Sequence, residues 1–473
     1  MRLYDLTKAT ELQSSGSPAE NKRSRQSSRK RYSIYYLCLI VFVCPRSLAV
    51  GSSEGYRLFS LGSDDALEEI YCSKKGEDTY LVERLFSSSL VAVVTLSAPR
   101  KLKVCHFNRG TEICNYSYSN TILAVKLNRS RLIVCLEESL YIHNIRDMKV
   151  LHTIRDTPPN PLGLCCLSAH TDNCFLAYPG SSSIGEVQIF DATHLHAKTM
   201  IPAHDSPLAA LAFNSTGTRL ATASEKGTVI RVFSVREGTR LFEFRRGVKR
   251  CVSIGCLAFS MCSTYVCCSS NTETVHVFKL VEPTKELPRQ SSDDGGWMGY
   301  LSKAVSAGAT FLPAQVTDVF CQGRAFASVH LPVAGVRNVC AITTLSKQLR
   351  LLVASNEGIL YIYSMDPVEG GDCPLVKQHR IAGPAITATP AALPLNITPQ
   401  GKGKYPGWTT NRPICLLFQG GNTYAGALRG RDPDHMSESE KFHEMTTAAD
   451  SPPRGGFKLD DDREFPPVTQ GSD

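Results

Sequence analysis

The chain has 473 residues, of which 42% are apolar and 20% charged, and a formal net charge of +8. That length holds two or three ordinary domains, or one large repeat fold with tails, and the apolar share suffices to bury a core. Much of the positive excess lies between Lys22 and Arg31, so a nucleic-acid-binding footprint is not indicated.

In chain order, the basic run from Lys22 to Arg31 precedes an apolar stretch from Ile34 to Cys44 and then Pro45. That order resembles the charged and hydrophobic regions of a targeting peptide. The stretch is about half the roughly twenty residues that cross a bilayer. A buried first strand behind a disordered basic leader is the plainer reading, and residues 1–46 read as an atypical extension. Asn-x-Ser/Thr sequons at Asn115, Asn128, Asn214 and Asn396 are available for glycosylation if the chain is exported.

Residues 47–381 repeat at roughly forty to fifty residues, the period of propeller blades. The clearest unit runs through Leu208 to Phe213, Leu220 to Ser224 and Val229 to Phe233. It is echoed by Ile254 to Phe259, Tyr265 to Ser270 and Val275 to Phe278. Weaker copies end near Phe107, His143, Phe190 and Tyr363, and Leu48 to Phe59 brings the count to seven. Alternation with a period of two between turn residues argues for antiparallel four-stranded sheets, and radial closure protects their edges. The expected fold is all-β, a seven-bladed β-propeller of the WD-repeat type with disordered N- and C-terminal extensions.

An insertion at 281–324 interrupts the sixth unit. Within it Trp297, Leu301, Val305, Phe311 and Leu312 recur at helical spacing, an amphipathic stripe with an interfacial tryptophan. From Ala382 the composition turns to Pro, Gly, Ala and Thr, so 382–473 reads as a largely disordered tail.

None of the 18 cysteines has a Cys-x-x-Cys partner, and many sit in apolar strand patterns. They read as free core thiols in a reducing compartment, with no metal. Phosphate-loop and His-Glu-x-x-His motifs are lacking. Gly51-Ser52-Ser53-Glu54-Gly55 spells a nucleophile elbow, but it joins two strand-like runs and reads as a hairpin. No enzyme activity and no cofactor are expected.

The chemistry concentrates at Phe244-Arg245-Arg246-Gly247. Strand alternation sends adjacent side chains to opposite faces, so two arginines in tandem can serve two pockets. Their planar, permanently charged forks suit phosphate. On either side lie two hydroxyl-rich segments, Thr222 to Thr228 and Ser269 to Thr274, leading to Arg231 and His276. Hydroxyls and imidazole can donate to phosphate oxygens, and Gly227 permits close backbone approach. The plainer reading is that these hydroxyls satisfy the turns of propeller blades.

The segment Ala221 to Leu280, with its Phe-Arg-Arg-Gly, resembles the PROPPIN family of phosphoinositide-binding WD-repeat proteins, the animal WIPI proteins in particular. The likeness runs from about Ser47 to Met365 and includes Glu83-Arg84-Leu85-Phe86 and Leu151-His152-Thr153-Ile154-Arg155. It implies a propeller that binds phosphatidylinositol 3-phosphate and phosphatidylinositol 3,5-bisphosphate. It further implies a cytoplasmic protein, recruited peripherally to preautophagosomal and endosomal membranes, that scaffolds autophagosome formation. By the family pattern one pocket uses Thr222, Ser224, Gly227, Thr228, Arg231 and Arg245, bordered by His204. The other uses Arg246, Gly247, Ser270, Thr274 and His276. The resemblance also implies that the blade-six insertion projects toward the bilayer and that its apolar residues enter it. Arg129 and Arg146 lie where related proteins dock an acidic helical segment of the ubiquitin-like conjugation machinery. The alternative is a WD-repeat interaction hub without lipid specificity, its arginines engaging acidic peptides.

Overall fold

A computed structural model describes residues 36–39, 46–73, 76–247, 251–281, 324–381 and 436–450. Among them the strands form seven sheets that follow one another along the chain, making a seven-bladed β-propeller. Blade five comprises Leu208–Phe213, Arg219–Ser224, Val229–Ser234 and Arg240–Arg245. Blade six comprises Ile254–Phe259, Tyr265–Ser270, Thr274–Lys279 and Ala327–His330, with Gly371–Asp372 added in parallel at its outer edge.

Alternation explains these strands. In Val229–Ser234 the side chains of Ile230 and Val232 are fully buried while Arg231 between them is half-buried. Neighbouring blades join through such residues: Phe244 of blade five stacks on Phe278 of blade six with centroids 5.0 Å apart. Cys267, Cys268 and Cys340 fill the same interior as small apolar side chains. Asn128 and Asn214 are also buried, which keeps both sequons from any glycosylation of the folded chain.

Ring closure falls in the segment that composition left ambiguous. Tyr36–Leu39 is a strand, pairing antiparallel with Ser47–Ser52. It neighbours Thr79–Arg84 of blade two and Asn338–Leu345 of blade seven. Blade one therefore draws its first strand from ahead of residue 47, where the repeat pattern begins to be readable. Closure is also pinned by the ion pair from Arg350 Nε to Asp65 Oδ1 at 3.1 Å. His379 Nε2 bonds to the Asp65 carbonyl at 2.8 Å. The Gly51 to Gly55 stretch is a hairpin, with Ser52 opposite Gly55.

The expectation of a largely disordered tail is corrected at one place. Glu438–Asp450 is an α-helix. Its start is a reciprocal cap: the Glu440 amide donates to Ser437 Oγ at 3.2 Å, and the Ser437 amide to the Glu440 carboxylate at 2.9 Å. This helix packs on blade two. Among the described residues no helix is long and apolar enough to cross a membrane.

Candidate functional site: two polar grooves flanking adjacent arginines

Registers fix where each side chain points. Thr222 lies opposite Arg231, and Arg231 opposite Glu243, so the three form one row on one face of blade five. Arg245, opposite Val229 and two residues beyond Glu243, shares that face. Phe244 takes the other face, against blade six, and Arg246 follows it. Arg245 and Arg246 thus leave the chain toward opposite faces, one with the Thr222 row and one with blade six.

In the first groove the row faces blade four. His204 Nε2 bonds to Thr222 Oγ1 at 2.9 Å, and Thr222 donates to the Arg231 carbonyl at 3.3 Å. Arg231 is held in the wall: its Nε donates to Glu243 at 2.7 Å and its Nη1 to the Ala203 carbonyl at 2.7 Å. Glu243 also accepts from Arg240. Arg231 is therefore a post that orients the groove, and Arg245 on the same face is half-buried. Ser206 Oγ, in the loop after His204, is buried without a hydrogen-bond partner among the described residues. Burial, with the Arg231 charge nearby, pushes the His204 imidazole down to about 4, so it is neutral near pH 7.

The second groove repeats this plan one blade on. Arg246 Nη2 donates to Ser270 Oγ at 2.8 Å and to Thr272 Oγ1 at 2.6 Å. By register Ser270 stands in blade six where Ser224 stands in blade five, each beside the same bulge. Likewise His276 stands where Arg231 does, opposite Ser328 instead of Glu243, and His330 takes the place of Arg245. Burial, with Arg246 and His330 adding positive charge, lowers the His276 imidazole to about 4. Its Nδ1 is buried and lacks a hydrogen-bond partner among the described residues. The second groove is thus richer in neutral donors, and the first is balanced by an internal carboxylate.

The remaining residues of the two sets fall around these rows. The Thr228 carbonyl accepts from the Arg246 amide at 2.9 Å, tying the Arg-Arg turn to blade five. Thr274 is half-buried opposite His330. Gly247 has open space around its α-carbon. Gly227 has a different reason for being glycine. Its φ is +63°, and a β-carbon there would lie 2.0 Å from the Val252 carbonyl oxygen, so close packing between blades demands it.

Four participants escape the sequence reading. Thr272 lies inside the hydroxyl-rich run, and nothing in composition separates it from Asn271. Glu243 sits one position before the Phe-Arg-Arg-Gly motif. Ser328 and His330 fall beyond the insertion, which breaks the repeat period that would have aligned them with blade five. Trp297, Leu301, Val305, Phe311 and Leu312 lie outside the described residues.

Of the two arginines expected at the partner surface, Arg129 packs over the Phe86 ring, 5.5 Å from its centroid. Arg146 is exposed, on the blade-three turn before Asp147 and Met148. Arg109 stands nearby on blade two, its Nη1 2.5 Å from Glu444 Oε1 of the C-terminal helix.

Comparison with known proteins agrees with this fold. A family model described as PROPPIN matches residues 37–382. The WD repeat domain phosphoinositide-interacting protein 2 of Mus musculus is 56% identical over 437 residues, spanning 90% of this chain and 94% of that protein. Autophagy-related protein 18 of Caenorhabditis elegans is 42% identical over 354 residues, spanning 72% and 84%. Among solved structures, the complex of KlAtg21 with the coiled coil of AgAtg16 superposes with a TM-score of 0.56 at 26% identity. It covers 73% of this chain and 100% of the other.

Proposed function

The chain belongs to the PROPPIN family, and on that premise we propose that it is a phosphoinositide effector of autophagy. It binds phosphatidylinositol 3-phosphate and phosphatidylinositol 3,5-bisphosphate through the two grooves and holds conjugation machinery at the membrane. The carrying observation is the divergence of Arg245 and Arg246 into grooves of matching plan, each furnished with hydroxyls and a histidine.

Each groove suits a phosphate monoester. A guanidinium fork supplies charge and directed donors, and Ser224 or Ser270 supplies a hydroxyl from the same position of its blade. His276 Nδ1, buried and unpartnered among the described residues, gains a partner when an anion enters. Glu243 tempers the first groove, which supports unequal preferences of the two sites. Two headgroup contacts on one rim turn a weak single contact into firm attachment, because the second forms at high effective concentration. Trp297, Leu301, Val305, Phe311 and Leu312 add an apolar contact of the kind that lies in a membrane interface.

Recognition and scaffolding then make up the mechanism, with peripheral recruitment to preautophagosomal and endosomal membranes. The surface of blades two and three around Arg129 and Arg146 is the dock for an acidic helical segment of the conjugation machinery. The solved complex of KlAtg21 with an Atg16 coiled coil supports a helical partner from the autophagy machinery. Vesicle sedimentation with headgroup-resolved lipids tests the proposal. A hub without lipid specificity would ignore the inositide content of the vesicles.

A further inference from the structure

The C-terminal helix Glu438–Asp450 has the chemistry that the surface of blades two and three is built to hold. Lys441, Glu444, Met445 and Ala448 recur at i, i+3, i+4 and i+7, one stripe of a helix. Met445 and Ala448 are 1% and 0% exposed and join the core of Phe86, Leu90 and Met148. Glu444 is buried with its carboxylate on Arg109. The Ser89 amide donates to the Ala448 carbonyl at 3.0 Å, capping the last turn from the blade. Arg129, desolvated over Phe86, has the Asp450 carboxylate as the neighbouring charge that favours its ionised form. At the other end Glu438, Lys441 and Met445 line a crevice with Tyr116, Asp147 and Met148.

We propose that this helix is a built-in occupant of the helix-docking groove on blades two and three, masking it from acidic helical partners. The inference rests on the partner reading given above. The groove offers Arg109 to Glu444 and Arg129 to Asp450, contacts about 9 Å apart along the helix, beside an apolar floor, so it selects an acidic amphipathic helix. The chain carries one such helix already seated. Being tethered, it competes at an effective concentration on the order of a millimolar or below, enough to mask weak ligands. A partner helix must displace it, and recruitment becomes a switch between a ligand in cis and one in trans.

The test uses the full chain and its Met445→Asp/Ala448→Asp variant, in which the propeller is untouched and only the cis helix is released. A fluorescent peptide copying residues 436–450 is titrated into each by anisotropy. The variant is expected to bind the peptide at least tenfold more tightly than the unaltered chain, and adding Arg109→Glu is expected to abolish that gain. Equal binding to both proteins, or binding to neither, overturns the occupancy. The second probe is the coiled-coil segment of the Atg16-type protein from the same organism. Its tighter binding to the variant supports the mask. Equal binding to both overturns the mask while the partner reading stands, and binding to neither overturns the partner reading and the mask with it. Thermal unfolding of both proteins confirms that the propeller is intact.

Discussion

Arg246 of blade five reaches across to Thr272 of blade six, its Nη2 2.6 Å from Thr272 Oγ1. The same nitrogen donates to Ser270, and the two hydroxyls lie 2.9 Å apart, so the guanidinium is held between blades before any ligand arrives. Such preorganisation spares a ligand the cost of ordering the side chain. Thr272→Val is therefore expected to weaken binding to phosphatidylinositol 3-phosphate vesicles three- to tenfold, about 1 kcal/mol, the worth of one hydrogen bond. The measurement is vesicle sedimentation, with unfolding temperature as control.

Because Arg245 and Arg246 leave the strand on opposite faces, the grooves are expected to titrate separately. Calorimetry with soluble inositol 1,3-bisphosphate should give two equivalents per chain. Arg245→Ala and Arg246→Ala should each reduce this to one. A single variant that abolishes all binding would mean one shared site.

The neutral imidazoles give the site a pH dependence. His276 and His204 are lowered to about 4, so both are uncharged at pH 7. A bound phosphate favours the imidazolium and raises the value, so binding takes up protons as pH falls from 7 toward 5. Wild type should gain affinity over that range relative to His276→Gln, which removes the phosphate's own titration from the comparison. Stability runs the other way. The unfolded histidines protonate near 6.5 while the folded ones resist until about 4, so folding weakens between those values. Unfolding temperatures from pH 7 to pH 4.5 check this.

How much of this was legible in the sequence depends on how local the signal was. Val229 to Phe233 and its blade-six echo announce strands by alternation alone, and the tandem arginines announce two directions by the same rule. Tyr36–Leu39 was not separable from a targeting segment, because four apolar residues behind a basic run carry no record of the strand they pair with. Ser437 and Glu440 do carry the signature of a helix start, three residues apart ahead of Met445 and Ala448. The Pro- and Gly-rich region before them masks it. The pairing of Arg231 with Glu243 joins two strands and depends on register, which no single strand reveals.

Gly227 offers a test of packing apart from lipid. A β-carbon there would meet the Val252 carbonyl at 2.0 Å on a backbone already at φ +63°. Gly227→Ala is expected to cost roughly 1–3 kcal/mol or more, as substitutions at positive φ with a steric clash do. Urea unfolding is the check. An unchanged midpoint would show that the blade-five turn moves freely.

The central claim is that two divergent cations each hold a headgroup, and replacing both tests it most directly. Sedimentation of Arg245→Thr/Arg246→Thr with vesicles containing phosphatidylinositol 3-phosphate or phosphatidylinositol 3,5-bisphosphate should show binding reduced to the level of vesicles lacking both lipids, with the unfolding temperature preserved. Undiminished sedimentation of a folded double variant would contradict it.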